Sequence, residues 1–160
     1  FGSTAWRALL AELRQRRLLV EVHQQACGLR ALLEPLLAAG LAVVVDHFGR
    51  PDPALGIDDP GFRYLLSLGA SGRVWVKLSA AYRNGAAGAG ERSAGAAVPL
   101  LLEHYGLGHL VWGSDWPHTL FERSGFYRMQ QRLLDEWLPD EAQRRQVLHD
   151  TPAKLFSFDR

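Results

Sequence analysis

The chain contains two kinds of apolar segment, some continuous and some with apolar residues recurring every three or four positions. Strands are predicted at residues 18–23, 41–46, 74–78 and 110–112, and the continuous apolar runs that precede Asp46 and Gly113 are typical of strands buried on both faces, as in a parallel sheet. The Gly- and Ala-rich segment 84–97 has few large side chains and predicts a mobile loop. The helical spacing and capping residues predict helices at residues 4–17, 29–39, 60–69, 98–105, 126–137 and 140–148.

The order of these elements predicts the fold class. The four strands begin roughly 25 to 35 residues apart, and a predicted helix separates each strand from the next. This spacing is what right-handed βαβ units require. Four consecutive parallel strands fit either half of a (β/α)₈ barrel or a small open α/β sheet, since a complete barrel needs about 250 residues.

Composition excludes several classes of protein. The 160 residues are 48% hydrophobic and 22% charged, with a formal net charge of +1, as in an ordinary globular domain. Nothing in this charge predicts a nucleic-acid partner. Cys27 is the only cysteine, which excludes a disulfide framework or a thiolate metal cluster. No apolar run approaches the roughly 20 residues of a membrane span and no signal peptide is evident, so we expect a cytoplasmic protein.

Ionisable or hydroxyl side chains follow all four predicted strands. His23, His47, Ser79 and Asp115 each stand at the carboxyl end of one strand, and the carboxyl ends of barrel strands converge on one face. A carboxylate beside imidazoles can take a proton from water and pass it to a leaving group. The same residues could instead bind a divalent metal ion. Non-catalytic roles also remain open, namely a helix N-cap for Asp115 and a partly buried structural histidine for His23.

Further polar residues lie just beyond the strand ends. Arg50 and Arg83 are suited to clamp a substrate carboxylate, although solvated surface positions explain them equally well. Asp46, which precedes His47, is expected to orient a neighbour or cap a turn. Pro117 fixes the turn from which His118 projects.

Three segments together resemble the amidohydrolase-related family. They are Val-Val-Asp-His-Phe-Gly-Arg-Pro at 44–51, Val-Trp-Val-Lys-Leu-Ser-Ala-Ala-Tyr-Arg at 74–83, and Leu-Val-Trp-Gly-Ser-Asp-Trp-Pro-His at 110–118. Their order and spacing are most similar to the branch of 2-pyrone-4,6-dicarboxylate lactonases. The resemblance implies a distorted (β/α)₈ barrel, of which residues 1–160 would form one partial domain, the C-terminal half with strands five to eight.

The resemblance also implies roles for the matched residues. Asp115 corresponds to the general base that activates water, and His47 to a histidine that polarises the substrate carbonyl. The substrate-binding candidates are then Arg50, Arg83, His118 and Ser79. The implied activity is hydrolysis of a lactone or similar cyclic ester on a small carboxylated compound, with no cofactor.

Departures from the family pattern keep two alternatives open. The family's His-x-His of the first strand has no counterpart, segment 84–97 lacks the Tyr and Asp expected near a lactone, and Thr151 replaces the usual Asn before Pro152. One alternative is a metal-dependent amidohydrolase or decarboxylase, with one divalent ion, expected to be zinc, on His23, His47 and Asp115. The other is an inactive fragment that needs the other half of the barrel and self-associates through open sheet edges.

Overall fold

The computed structural model describes residues 2–123 and 127–158. Strands and helices alternate through the first two thirds of the chain, and helices alone follow. The strands are β1 Val20–Val22, β2 Val43–Val45, β3 Val74–Ser79 and β4 Leu110–Gly113. The α-helices are α1 Thr4–Gln15, α2 Ala26–Ala38, α3 Pro60–Ser67, α4 Ala89–Tyr105, α5 Tyr127–Trp137, α6 Glu141–Arg145 and α7 Thr151–Phe156.

The four strands form one parallel sheet in the order β1-β2-β3-β4. Val20 pairs with Val43 and Val43 with Val74, while Val76 pairs with Leu110, so neighbours in sequence are neighbours in the sheet. The predicted succession of parallel strands and crossover helices is therefore confirmed. All four carboxyl ends lie at the same edge of the sheet, where the candidate residues follow the strands.

The two faces of the sheet differ in composition. In β3, Val74, Val76 and Leu78 are fully buried against the helices, while Trp75 and Lys77, which alternate with them, belong to the opposite face. The helix-covered face forms one apolar core with residues of the crossover helices. Its helical members include Leu29, Leu33, Phe62, Leu65, Ala97 and Leu101.

The loop predicted at 84–97 is wrong over most of its length, because α4 begins at Ala89. Ala has the highest helix propensity, and Ala94 and Ala97 are buried at 1% and 0% exposure. A Cβ atom on Gly90 would lie 2.1 Å from the carbonyl oxygen of Ala81. The glycine in this segment therefore allows a close backbone approach, and the small residues belong to a packed helix.

The remaining predicted helices differ from the structure mainly at their ends. The helix expected from residue 29 starts at Ala26, and the helix expected over 140–148 is α6 followed by a π-helical turn, Gln146–Asp150. The start predicted at residue 126 lies outside the described residues, and α5 is described from Tyr127. Within residues 2–123 and 127–158, none of the helices is both long enough and apolar enough to cross a membrane.

Candidate active site

The turn after β2 holds its side chains in a sparsely populated backbone conformation. His47, Phe48 and Arg50 have φ angles of 54°, 60° and 48°, in the left-handed region. Each non-glycine residue there costs roughly 1–2 kcal/mol, so packing must hold the turn in place. Phe48 holds it, because this side chain is fully buried and packs edge-on against the Trp137 ring, with the ring centroids 5.1 Å apart. Asn84 Nδ2 also donates a hydrogen bond to the carbonyl oxygen of His47 at 3.3 Å.

The Asp115 carboxylate contacts Tyr82, Arg83 and His47 at the carboxyl end of the sheet. Its Oδ2 accepts hydrogen bonds from Arg83 Nε at 2.7 Å and from the Tyr82 hydroxyl. Its Oδ1 lies 3.5 Å from Nε2 of His47. The Tyr82 hydroxyl in turn lies 3.0 Å from Nδ1 of His118, which links that residue to the carboxylate.

His47 is held from three directions. Its Nδ1 lies 2.8 Å from the Ser79 hydroxyl, and its ring meets the His23 ring edge-on at 4.8 Å. With only 4% of its surface exposed, the imidazole is a buried part of the protein whose Nε2 atom faces Asp115.

These surroundings set the protonation states of the central pair. Burial lowers the pKa of His47 to about 4, assisted by the nearby charges of Arg83 and Arg50 and opposed by Asp115. Burial is the largest single influence and would raise the pKa of Asp115, but the hydrogen bonds from Tyr82 and Arg83, together with nearby positive charge, hold this pKa below its usual value. At neutral pH the pair is therefore a neutral imidazole beside a carboxylate.

A cavity of about 510 Å³ is lined by residues of α2, of α3 and of the loop between β2 and α3, and neither Asp115 nor His47 is among its lining residues. Arg50 and Arg83 line it together with residues of α2 and α3, such as Arg30 and Tyr64. Arg50 Nη1 also donates a hydrogen bond to His23 Nε2 at 3.1 Å, with His23 accepting. Two guanidinium groups thus connect this cavity to the cluster, and guanidinium is the group best suited to hold a carboxylate ligand.

Charged residues continue from the site along the face of the sheet that carries Lys77. Lys77 Nζ forms ion pairs with Asp46 at 2.8 Å and with Glu21. Burial, with the nearby negative charge of Asp115, raises the pKa of Asp46 to about 6. Asp46 makes no side-chain capping hydrogen bond to the turn His47–Gly49, so that part of its expected role is wrong, and its role in orienting a neighbour stays a prediction.

The residues nearest to a metal-binding geometry are His23, Asp46 and His47, whose ligand atoms lie within 4.8 Å of one another. Each of them already has a polar partner: Arg50 binds His23, Lys77 binds Asp46, and Ser79 binds His47. A divalent ion there would have to displace these contacts and would face the positive charges of Lys77 and Arg50. The three side chains are close enough to hold one divalent ion only if they leave these partners, so the metal site stays a prediction.

The structure brings the residues singled out in the sequence into one cluster. His47, Asp115, Arg83, Ser79 and His118 are joined by the contacts above, and His23 and Arg50 adjoin them. Their catalytic, substrate-binding and metal-binding roles stay predictions.

Sequence reasoning missed Tyr82, Asn84 and the ion pairs of Lys77. The alternation in β3 could have indicated Lys77, because a lysine between apolar residues on a buried strand needs a partner. Tyr82 and Asn84 lie in a turn, Ala81–Asn84, whose geometry has no comparable signal in the sequence.

Comparison with known proteins places this cluster in context. Over 147 residues the chain is 33% identical to a 4-sulfomuconolactone hydrolase of Hydrogenophaga intermedia, covering 86% of this chain and 46% of that protein. A citrate-bound structure from Acinetobacter baumannii, provisionally assigned as a 2-pyrone-4,6-dicarboxylic acid hydrolase, is 34% identical with a TM-score of 0.92. That match covers 98% of this chain and 59% of the other chain, so the fold is confirmed as part of an amidohydrolase barrel.

A zinc-bound amidohydrolase structure from Burkholderia multivorans has the same fold, with a TM-score of 0.81 at 22% identity. The match covers 97% of this chain and 58% of that one. This chain spans about half the length of the curated relatives that it matches. The amidohydrolase family model matches residues 1–158, and on this evidence the chain belongs to the amidohydrolase family.

Proposed function

We propose that the cluster around Asp115 hydrolyses a lactone that carries at least one carboxylate. The observation that carries the proposal is the position of Asp115 between the neutral imidazole of His47 and the guanidinium of Arg83, a residue that also lines the neighbouring cavity. A carboxylate, a neutral hydrogen-bond donor and an anion-binding group are the parts that this reaction needs. The curated relative from Hydrogenophaga intermedia, named for a lactone hydrolysis, supports the same reaction class.

The first step is the attack of water on the lactone carbonyl carbon. Asp115 takes one proton from the water while the oxygen forms a bond to that carbon. The carbonyl oxygen becomes negatively charged, and the ring N–H of His47 stabilises it by donating a hydrogen bond.

The second step opens the ring. The tetrahedral intermediate collapses, the bond between the carbonyl carbon and the ring oxygen breaks, and Asp115 returns its proton to the departing oxygen. The product is a hydroxy acid whose new carboxyl group loses a proton to solvent. Asp115 ends the cycle as a carboxylate, so one water is consumed and the chain is unchanged.

Substrate recognition depends mainly on Arg50, because Nε and Nη2 of Arg83 already donate hydrogen bonds to Asp115 and to the carbonyl oxygen of Thr119. A guanidinium binds a carboxylate through two parallel hydrogen bonds, which fixes both the distance and the plane of the ligand. The citric acid in the related Acinetobacter baumannii structure is a polycarboxylate and supports this substrate class. His118 acts indirectly, because its Nδ1 lies 3.0 Å from the Tyr82 hydroxyl, which donates a hydrogen bond to Asp115.

The test is a pH-stat assay of acid release from carboxylated and uncarboxylated lactones of matched ring size. We expect turnover of the carboxylated compounds only, and a loss of about 10³-fold in kcat in Asp115→Asn. Asp58→Asn is the matched control, because Asp58 is an exposed carboxylate whose partner is Arg63. Equal activity of Asp115→Asn and wild type, or no preference for carboxylated lactones, would contradict the proposal.

A metal-dependent hydrolase or decarboxylase is the second candidate, and the grouping of His23, Asp46 and His47 is the observation that favours it. Metal content of the purified protein and activity after chelation separate the two candidates. We expect less than one equivalent of divalent metal and full activity after chelation. A stoichiometric metal that is lost together with activity in His23→Ala would establish the second candidate instead.

The self-association expected from the open sheet edges stays a prediction. Within the described residues, β1 and β4 are the outer strands of the sheet. Size-exclusion chromatography with light scattering tests the prediction: a mass of two or more chains would support it, and a monomer at all concentrations would contradict it.

A further inference from the structure

We propose that Ser79 is a positioning residue that holds His47 as the tautomer with its proton on Nε2. The inference deepens the function proposed above, because that reaction needs an imidazole N–H directed at the substrate carbonyl. It assigns the direction of one hydrogen bond, from the Ser79 hydroxyl to His47 Nδ1.

The first argument comes from the surroundings of Ser79. Its side chain lies at the end of β3 with 1% of its surface exposed, and its Oγ is 2.8 Å from Nδ1 of His47. Among the hydrogen bonds of the described residues, this is the one that Ser79 Oγ makes. A buried hydroxyl left without an acceptor costs about 1–3 kcal/mol. If His47 donated to Ser79, the serine proton would lack an acceptor, whereas donation by Ser79 satisfies both groups.

The second argument comes from the other side of the imidazole ring. Nε2 of His47 lies 3.5 Å from Oδ1 of Asp115, and a carboxylate can only accept. A proton on Nε2 is attracted to this oxygen, whereas a lone pair there would be repelled by it. Both nitrogens thus favour the same tautomer, and each does so through a different partner.

The tautomer matters because the imidazole is neutral. Burial lowers the pKa of His47 to about 4, so at neutral pH the ring carries one proton and not two. With that proton on Nε2, His47 is a hydrogen-bond donor toward the site and cannot act there as a base. Asp115 is then the base of the pair, and His47 Nε2 has no lone pair to offer to a metal ion.

The backbone supports the same arrangement. Asn84 donates to the carbonyl oxygen of His47, and the turn after β2 is fixed by the fully buried Phe48. The backbone of His47 is therefore fixed, and its ring is itself buried in edge contact with the His23 ring. Ser79 selects the tautomer of a ring whose position is already set.

The direct test reads the tautomer in the wild-type protein by two-bond ¹H–¹⁵N correlation NMR at pH 7, with His47→Gln to assign the ring. We expect the nitrogen pattern of an Nε2–H imidazole. An Nδ1–H pattern would overturn the proposal. Because the spectrum requires no substrate, it remains informative if the protein hydrolyses no lactone.

Variants then test the effect on catalysis. Ser79→Ala should lower kcat by about tenfold, the size expected for the loss of one buried hydrogen bond, with KM little changed. It should also give a mixed tautomer spectrum. Ser79→Thr keeps the hydroxyl and should restore both readouts.

Ser71→Ala is the matched control, since Ser71 is an exposed serine before the other end of β3. An Nε2–H spectrum and unchanged kcat in folded Ser79→Ala would overturn the proposal. If Ser79→Ala fails to fold, Ser79→Cys takes its place with the same expected readouts, because a thiol is only a weak hydrogen-bond donor.

Discussion

The two faces of the sheet are built from the same strands but have opposite properties. On the helix-covered face, Val76 and Leu78 of β3 are fully buried in the apolar core. On the other face, Lys77 of the same strand pairs with Asp46 and Glu21, and Ser79 binds His47. Side chains one residue apart thus belong to a hydrocarbon core and to a network of charges.

This difference separates stability from chemistry. Packing on the covered face fixes the positions of the strands, and the strand ends carry the polar groups. Substitutions on the two faces should therefore have separable effects. Those on the helix-covered face should lower the free energy of unfolding, and those among the polar residues of the other face should lower kcat.

The largest effect is expected on the covered face, in Leu78→Ala. A fully buried leucine truncated to alanine loses transfer free energy and leaves a cavity, so the free energy of unfolding should fall by about 2–5 kcal/mol. Urea denaturation followed by circular dichroism measures it. The kcat of the folded fraction should stay within about twofold of wild type. A larger fall in kcat in the folded fraction would break the comparison.

The opposite result is expected from His47→Gln. Removal of the imidazole donor should lower kcat by about 10²–10³-fold, the usual effect of losing one oxyanion donor. Its free energy of unfolding should change less than that of Leu78→Ala. Steady-state kinetics and urea denaturation on the same preparation decide the point, and a variant that is destabilised but fully active would refute the assignment.

A smaller change in the free energy of unfolding is expected when two glycines of α4 are replaced by alanine. Gly90→Ala places a Cβ 2.1 Å from the Ala81 carbonyl oxygen, so the helix must shift, at a cost of about 1–3 kcal/mol. Gly95→Ala meets nothing within 4 Å and should stabilise the helix by up to about 1 kcal/mol. Thermal unfolding of the pair measures the difference. Equal melting temperatures would show that α4 does not pack against the turn before it.

The smallest effect expected is in the pH profile. Asp115 must be ionised and His47 neutral, and the pKa of each is lowered in the folded chain, to about 4 for His47. Both groups therefore keep their working forms on acidification, and log kcat/KM should be flat from pH 8 down to about pH 5. In Arg83→Gln the pKa of Asp115 should rise and the acid limb should move to higher pH. A wild-type limb near pH 6.5 would contradict the lowered pKa of His47.

Much of this arrangement could be predicted from the sequence. Short apolar segments and their spacing identified the four strands, because a parallel sheet with crossover helices repeats strand and helix at this interval. The residues that follow them identified His47, Ser79 and Asp115, since parallel strands bring their carboxyl ends together. The small residues of 84–97 misled, because composition does not distinguish flexible glycine from glycine that permits close packing, as at Gly90.

The contacts within the site required three-dimensional structure. Tyr82 reaches Asp115 from a turn, and Arg83 binds the same carboxylate, whereas the sequence indicated Arg83 only as a group for substrate. The left-handed turn at His47 and Phe48 likewise follows from tertiary packing and not from local preference, which opposes it. Backbone conformations that local preference opposes are expected to cluster at functional sites.

The most direct test of the central claim is hydrolysis of a carboxylated lactone in H₂¹⁸O under single-turnover conditions, with product analysed by mass spectrometry. Attack of Asp115-activated water on the carbonyl carbon predicts one ¹⁸O atom in the new carboxylate and none in the new hydroxyl group. Label in the hydroxyl group, or no hydrolysis by a folded protein, would contradict the account.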